Sequence, residues 1–187
     1  MNTNRPDIKK VLLKMVVMND GICDLKADPT EDDAYEDDLY DEFEDDCEEC
    51  EDSCAADSKC SSSGGPMKIV TEGYLRKKGN RIELRYAETD ETDLADEITV
   101  ISYEVSNPDI LTMERNGMCR TAMVFEAGRR YICMYNVAGM EMELVVRTYD
   151  LENSLTLDGG QLKFGYSLEN GGSTVSNVKM TIDVEVL

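Results

Sequence analysis

"GQLKFGYSLENGGSTVSNVKMTIDVEV", Gly160 to Val186, is the stretch whose reading decides the fold. Leu162, Phe164, Tyr166 and Leu168 fall on one side of a two-residue repeat, and Val178, Met180, Ile182, Val184 and Val186 fall on one side of another. That period is the signature of a pleated strand with one dry face and one wet face. Between the two runs stands "ENGG", where Asn and Gly supply the positive φ that a tight hairpin requires. The stretch therefore predicts two antiparallel strands joined by a short turn.

The same rhythm continues upstream as far as Met67. Ile82, Leu84 and Tyr86 alternate with Glu83 and Arg85, and Met140, Met142, Leu144 and Val146 alternate with Glu141 and Glu143. The runs are separated by "KKGN", "NPD", "NG", "EAG", "AG" and "DGG", all read as turns. Near the start, "DIKKVLLKMVVM" from Asp7 places Val11, Leu13, Met15 and Val17 on one face of a further strand. The pattern is all-β and antiparallel, a sandwich or barrel of about nine or ten strands, with no helix after Met67. An up-and-down sheet of that length tends to close, because an open edge invites other chains.

Two properties of the whole chain narrow its partners. Its 187 residues suit one core with an appendage, and 19 basic against 40 acidic residues leave a net charge of -21. Nucleic acid and anionic membrane surfaces would be repelled by such a chain; cations or a basic protein surface suit it better. No stretch approaches the roughly 18 apolar residues of a membrane span, and "MNTNRPDIKK" lacks the apolar core of a secretion signal, so a cytoplasmic location is expected. Seven cysteines are then expected to be reduced. The absence of histidine removes the commonest catalytic base and metal ligand.

The charge is concentrated in one place. Residues 24–60 contain 18 acidic side chains against two lysines, a net -16 of the chain's -21. Residues 1–23 and 67–187 are accordingly read as one barrel domain, and residues 24–66 as an acidic, Cys-rich insertion ending in the "SSSGGP" linker. Tyr35, Leu39, Phe43, Cys47, Cys50 and Cys54 share an arc of about 120° at helical spacing, and Thr30 is a suitable N-cap. Repulsion opposes that helix, since 15 of the 22 residues from Glu31 to Asp52 are acidic. Cys47, Cys50, Cys54 and Cys60 could hold zinc or an iron–sulfur cluster, form a redox pair, or remain free thiols on a packing face. Only Cys47 and Cys50 have the spacing of a zinc knuckle, which favours free thiols.

Several runs carry a resemblance. "EGYLRKKGNRIELRYAE", "ITVISYEV", "ILTMERNG", "MVFEAG", "YNVAGMEMELVVRT" and "GGQLKFGYSLENGG", with "IKKVLLKMVVMNDG" as opening strand, resemble the YwiB-like family of small bacterial proteins of unassigned activity. The resemblance implies a lipocalin-like, calycin-type β-barrel. It also marks a departure, because that family joins its first two strands by a short link where this chain has the acidic insertion.

A barrel of that kind encloses either packed side chains or one small ligand. Polar candidates for its interior or rim are Arg85, Glu104, Arg115, Tyr135, Arg147 and Tyr166, together with Tyr86. Arg115 and Arg147 stand out because each interrupts an apolar neighbourhood, and an arginine with a partner is the usual holder of a carboxylate. Met113, Met118, Met123, Met134, Met140 and Met142 suggest an adaptable interior, while Cys119 and Cys133 read as small buried apolar residues. No spacing singles out a catalytic pair, and no cofactor is assigned. The expectation is a binding barrel for a small apolar or anionic molecule, with a basic protein partner or metal binding at the acidic insertion as alternatives.

Overall fold

The computed structural model describes residues 7–21, 65–90, 97–117, 119–137 and 139–187, all within one compact unit. Ten strands follow one another: β1 (Ile8–Gly21), β2 (Met67–Lys78), β3 (Arg81–Ala87), β4 (Ile98–Glu104), β5 (Asn107–Asn116), β6 (Cys119–Glu126), β7 (Arg130–Val137), β8 (Met140–Asn153), β9 (Gly160–Asn170) and β10 (Ser173–Val186). Each pairs antiparallel with its sequence neighbours, and β1 closes the ring by pairing with β10 from Val11↔Val186 to Gly21↔Ser176. The fold is a closed up-and-down β-barrel, which removes the open edges that a ten-stranded sheet would expose.

The alternation read from the sequence is the inside–outside alternation of the barrel except at the start of β8, where Met140 and Met142 are exposed rather than on the dry face. Leu13 on β1, Leu75 on β2, Leu84 on β3, Leu111 on β5 and Ile182 on β10 are fully buried, while Lys14, Arg76, Arg85 and Glu185 between them face outward. The turn at Gly79 has φ +62°, as "KKGN" requires. One turn differs from the expectation: "NPD" opens β5, and the reversal is made by Val105 and Ser106. Proline lacks an N–H for a ladder, so it is tolerated at the first residues of a strand, and there the Pro108 carbonyl accepts a bond from Asn153 Nδ2 at 3.0 Å.

Odd-numbered strands all run toward one end of the barrel and even-numbered strands away from it. At the first end, here the open end, lie Gly21 and Gly65, residues 88–90, Glu97, Gly117 and Gly139, and the turn at 171–172. The opposite, closed end is plugged. Leu155, in the β8–β9 connection, is buried in the core, and the Tyr103 hydroxyl donates to its carbonyl. Gly160 turns there with φ +134° in a space where a Cβ would collide with the Ser154 carbonyl. Above this floor Phe125, Phe164 and Tyr166 pack with ring centroids 4.9 Å apart for the two pairs involving Phe125. Aromatic side chains thus fill the role for which the sequence offers no tryptophan.

Candidate functional site

Because odd strands all run toward the open end, inward polar residues near their ends meet there. They are Tyr86 on β3, Arg115 on β5, Tyr135 on β7 and Tyr166 on β9, and β3 carries its phase one step further to Glu88. These side chains form one wall of a cavity of about 300 Å³. The other wall is apolar, with Met15, Met67, Ile69, Val178 and Met180. Asn19 and Ser176 stand at its mouth, joined at 2.7 Å by the serine hydroxyl donating to Asn19 Oδ1.

Arg115 is the centre of the polar wall. Its side chain is 14% exposed and that of Glu88 is 3% exposed, with Nε and Oε1 separated by 3.8 Å. The pair is ionic without being hydrogen-bonded, and the buried Arg115 Nε has no hydrogen-bond partner. Glu88 is held from the other side by the Thr99 hydroxyl, which donates to Oε1 at 2.5 Å. Burial works against the guanidinium's charge, yet the surrounding oxygens of Tyr166, Glu88, Tyr86 and Tyr135 outweigh it and raise its pKa. Arg115 is a permanent cation.

The three phenols beside it are held neutral. Burial pushes up the hydroxyls of Tyr86 and Tyr166, and the nearby Glu88 charge adds to the effect at Tyr86. Tyr135 is pushed up to about 12, first by burial and then by its bond with Cys119. Neutral phenols are O–H donors, so the wall presents one cation and several donors to whatever occupies the cavity.

Glu97 fastens this region together. It is 4% exposed, its Oε1 accepts the Cys119 N–H at 2.6 Å, and its backbone carbonyl accepts the Glu88 N–H at 2.8 Å. Its Oε2 has no partner. Gly117 is required beside it, since a Cβ there would lie 2.6 Å from Glu97 Cγ.

The structure brings together four of the seven polar candidates, Tyr86, Arg115, Tyr135 and Tyr166. Arg85, Glu104 and Arg147 are exposed on the outer face and have no part in this wall. Their phase explains the placement: Arg85 lies between buried Leu84 and Tyr86, Glu104 follows buried Tyr103, and Arg147 lies between buried Val146 and Thr148. Arg85 lines an outer depression of about 510 Å³ with Ile8, Tyr74 and Arg76. Glu104 lines another of about 220 Å³ with Arg81 and Asn107. Glu88, Thr99 and Glu97 were missing from the sequence reading. Glu88 was detectable by extending the Ile82, Leu84, Tyr86 alternation one further step; nothing local marked Glu97.

Cys119 and Cys133 are buried free thiols on β6 and β7, and burial raises the pKa of Cys133. Cys47, Cys50, Cys54 and Cys60, and the helix, metal and basic-partner readings of the acidic insertion, lie outside the described residues. Among the described residues no group of three or more His, Cys, Asp or Glu side chains is placed to hold a metal ion. Among them also no helix is long and apolar enough to cross a membrane.

Fold and cavity define a class: a small closed ten-stranded antiparallel β-barrel with a polar-walled cavity at one end. The sequence matches a domain of unknown function (DUF1934) over residues 57–182, and the chain belongs to that family. Its fold is similar to the crystal structure of the ywiB protein from Bacillus subtilis, with a TM-score of 0.61 at 17% identity over 98% of this chain and 97% of that one. The YwiB-like resemblance read from the strand and turn order is thereby shown at the level of fold. No curated protein matches the sequence.

Proposed function

We propose that the open end of the barrel binds a small molecule with an apolar body and an acidic head, without chemical turnover. The observation that carries this reading is Arg115, a buried cation whose Nε lacks a hydrogen-bond partner at the wall of a cavity of about 300 Å³. An unfilled buried donor is costly to the folded protein, and a carboxylate answers it with a charge-assisted hydrogen bond. The methionine-bearing wall opposite suits an apolar body of variable shape, since Met adapts to irregular surfaces. The volume lies at the small end of ligand sites, so a short chain or single ring fits better than a long lipid. A cytoplasmic location accompanies this reading, where Cys119 and Cys133 stay reduced.

Octanoate is a suitable probe. Calorimetric titration of the full chain should show saturable binding, weakened about tenfold or more in Arg115→Met, equivalent to at least about 1.4 kcal/mol. A matching far-ultraviolet circular dichroism spectrum would show that the variant keeps its sheet. Equal affinity in both proteins, or no binding to the unsubstituted one, would end the proposal.

A further inference from the structure

The cavity that offers Arg115 to a ligand also carries the countercharge of Arg115. Glu88 lines the same space, its side chain 3% exposed and its Oε1 3.8 Å from Arg115 Nε. Among the described residues, every other group facing the pair is neutral. Tyr86 on β3, Tyr135 on β7 and Tyr166 on β9 are phenols, and Thr99 on β4 contributes a hydroxyl. Cys119 on β6 reaches the group through its bond with Tyr135. Glu97 points elsewhere, to the Cys119 backbone. Among the described residues, the site therefore sets one buried guanidinium against one buried carboxylate.

A monoanionic ligand arriving at Arg115 changes that balance. Two negative groups would then share one guanidinium where both Arg115 and Glu88 are buried, and like charges held that close favour protonation of one of them. The phenols can donate hydrogen bonds to the newcomer but supply no positive charge. Charge balance returns if one proton enters from solvent and forms an O–H bond on a carboxylate. A permanently ionised ligand leaves Glu88 as the group that can accept it.

We propose that Glu88 is a proton acceptor linked to ligand binding, so that each monoanion seated at Arg115 enters with one proton and affinity falls as pH rises. The inference rests on the binding reading above and adds its regulation. It also names a ligand class: monoanions with an apolar body are admitted, and dianions such as alkyl phosphates are disfavoured because they would require a second proton.

Octanesulfonate, which cannot itself hold the proton, provides the test. It is titrated into the full chain by calorimetry at one pH in two buffers of different ionisation enthalpy, and then across pH. About one proton should be taken up per ligand bound, with affinity falling by up to tenfold per pH unit. Glu88→Gln should bind with no proton uptake and a flat pH profile. Sulfonate binding to the unsubstituted protein without proton uptake would overturn the proton link while leaving the binding reading intact. Persistence of the full uptake in Glu88→Gln would overturn the assignment to Glu88. Failure of both octanoate and octanesulfonate to bind would remove the binding reading and this inference with it.

Discussion

The two ends of the barrel use the same ten strands and the same alternation, yet one is packed with aromatic and aliphatic side chains and the other encloses a space with a charged wall. At the closed end Phe125, Phe164, Tyr103 and Leu155 meet in the dry core, and the polar atom that reaches in, the Tyr103 hydroxyl, finds a carbonyl. At the open end Arg115 Nε and Glu97 Oε2 are buried without hydrogen-bond partners. Burial of apolar area stabilises, while burial of unpaired polar atoms costs free energy. The contrast teaches that the closed end stabilises the barrel, while the open end carries buried polar atoms that cost stability.

Substitutions at the two ends should separate these roles. Phe125, fully buried beside Phe164 and Tyr166, should give the largest loss: Phe125→Ala should cost about 3–5 kcal/mol in urea unfolding. Met180 is also buried but borders the cavity, where it already lacks neighbours on one side. Met180→Ala should therefore cost only about 1–2 kcal/mol, at or below the usual range for that change. Equal losses at both positions would break the distinction between the ends.

A pH experiment sharpens it at the open end. Tyr135 has its pKa raised from 10.0 to about 12 in the folded protein. Its neutral form is the one favoured by folding, so the associated stability is complete below pH 10 and is lost as pH rises from there through about 12. Unfolding midpoints measured across this range should fall with pH, and Tyr135→Phe should fall less steeply. An identical slope in the variant would show that Tyr135 does not contribute.

The smallest effect is expected on the outer face, which belongs to neither end. Lys14 and Glu185 pair at 2.6 Å, but their side chains are 50% and 57% exposed. Lys14→Ala should shift stability by less than about 1 kcal/mol, and added salt should erase the difference. A loss comparable to that of Phe125→Ala would mean that the surface, rather than the interior, holds the barrel closed.

Much of the fold was legible because a strand's period is local. Leu13, Leu84, Phe164 and Ile182 declared their inward phase from neighbouring residues alone. The same phase sorts the candidate site residues: Arg115, Tyr135 and Tyr166 are in step with buried neighbours, whereas Arg85, Glu104 and Arg147 are out of step and face solvent. Candidates chosen by chemical type without that parity mixed the two groups. The turn at Val105–Ser106 escaped for a different reason, since neither residue carries the glycine or asparagine signal by which the other turns were read.

The sequence by itself determined an antiparallel all-β chain with one dry face per strand, because a two-residue repeat needs no information beyond adjacent side chains. Only the tertiary structure decided that β1 joins β10, and that Tyr86, Glu88, Arg115, Tyr135 and Tyr166 converge on one cavity. Tyr86 and Tyr166 lie 80 residues apart in sequence. Their meeting depends on strand direction, register and ring closure, which are properties of the whole barrel rather than of any segment. The unpartnered nitrogen of Arg115 follows from the same closure, since burial and the lack of a neighbouring acceptor exist only once every strand is in place.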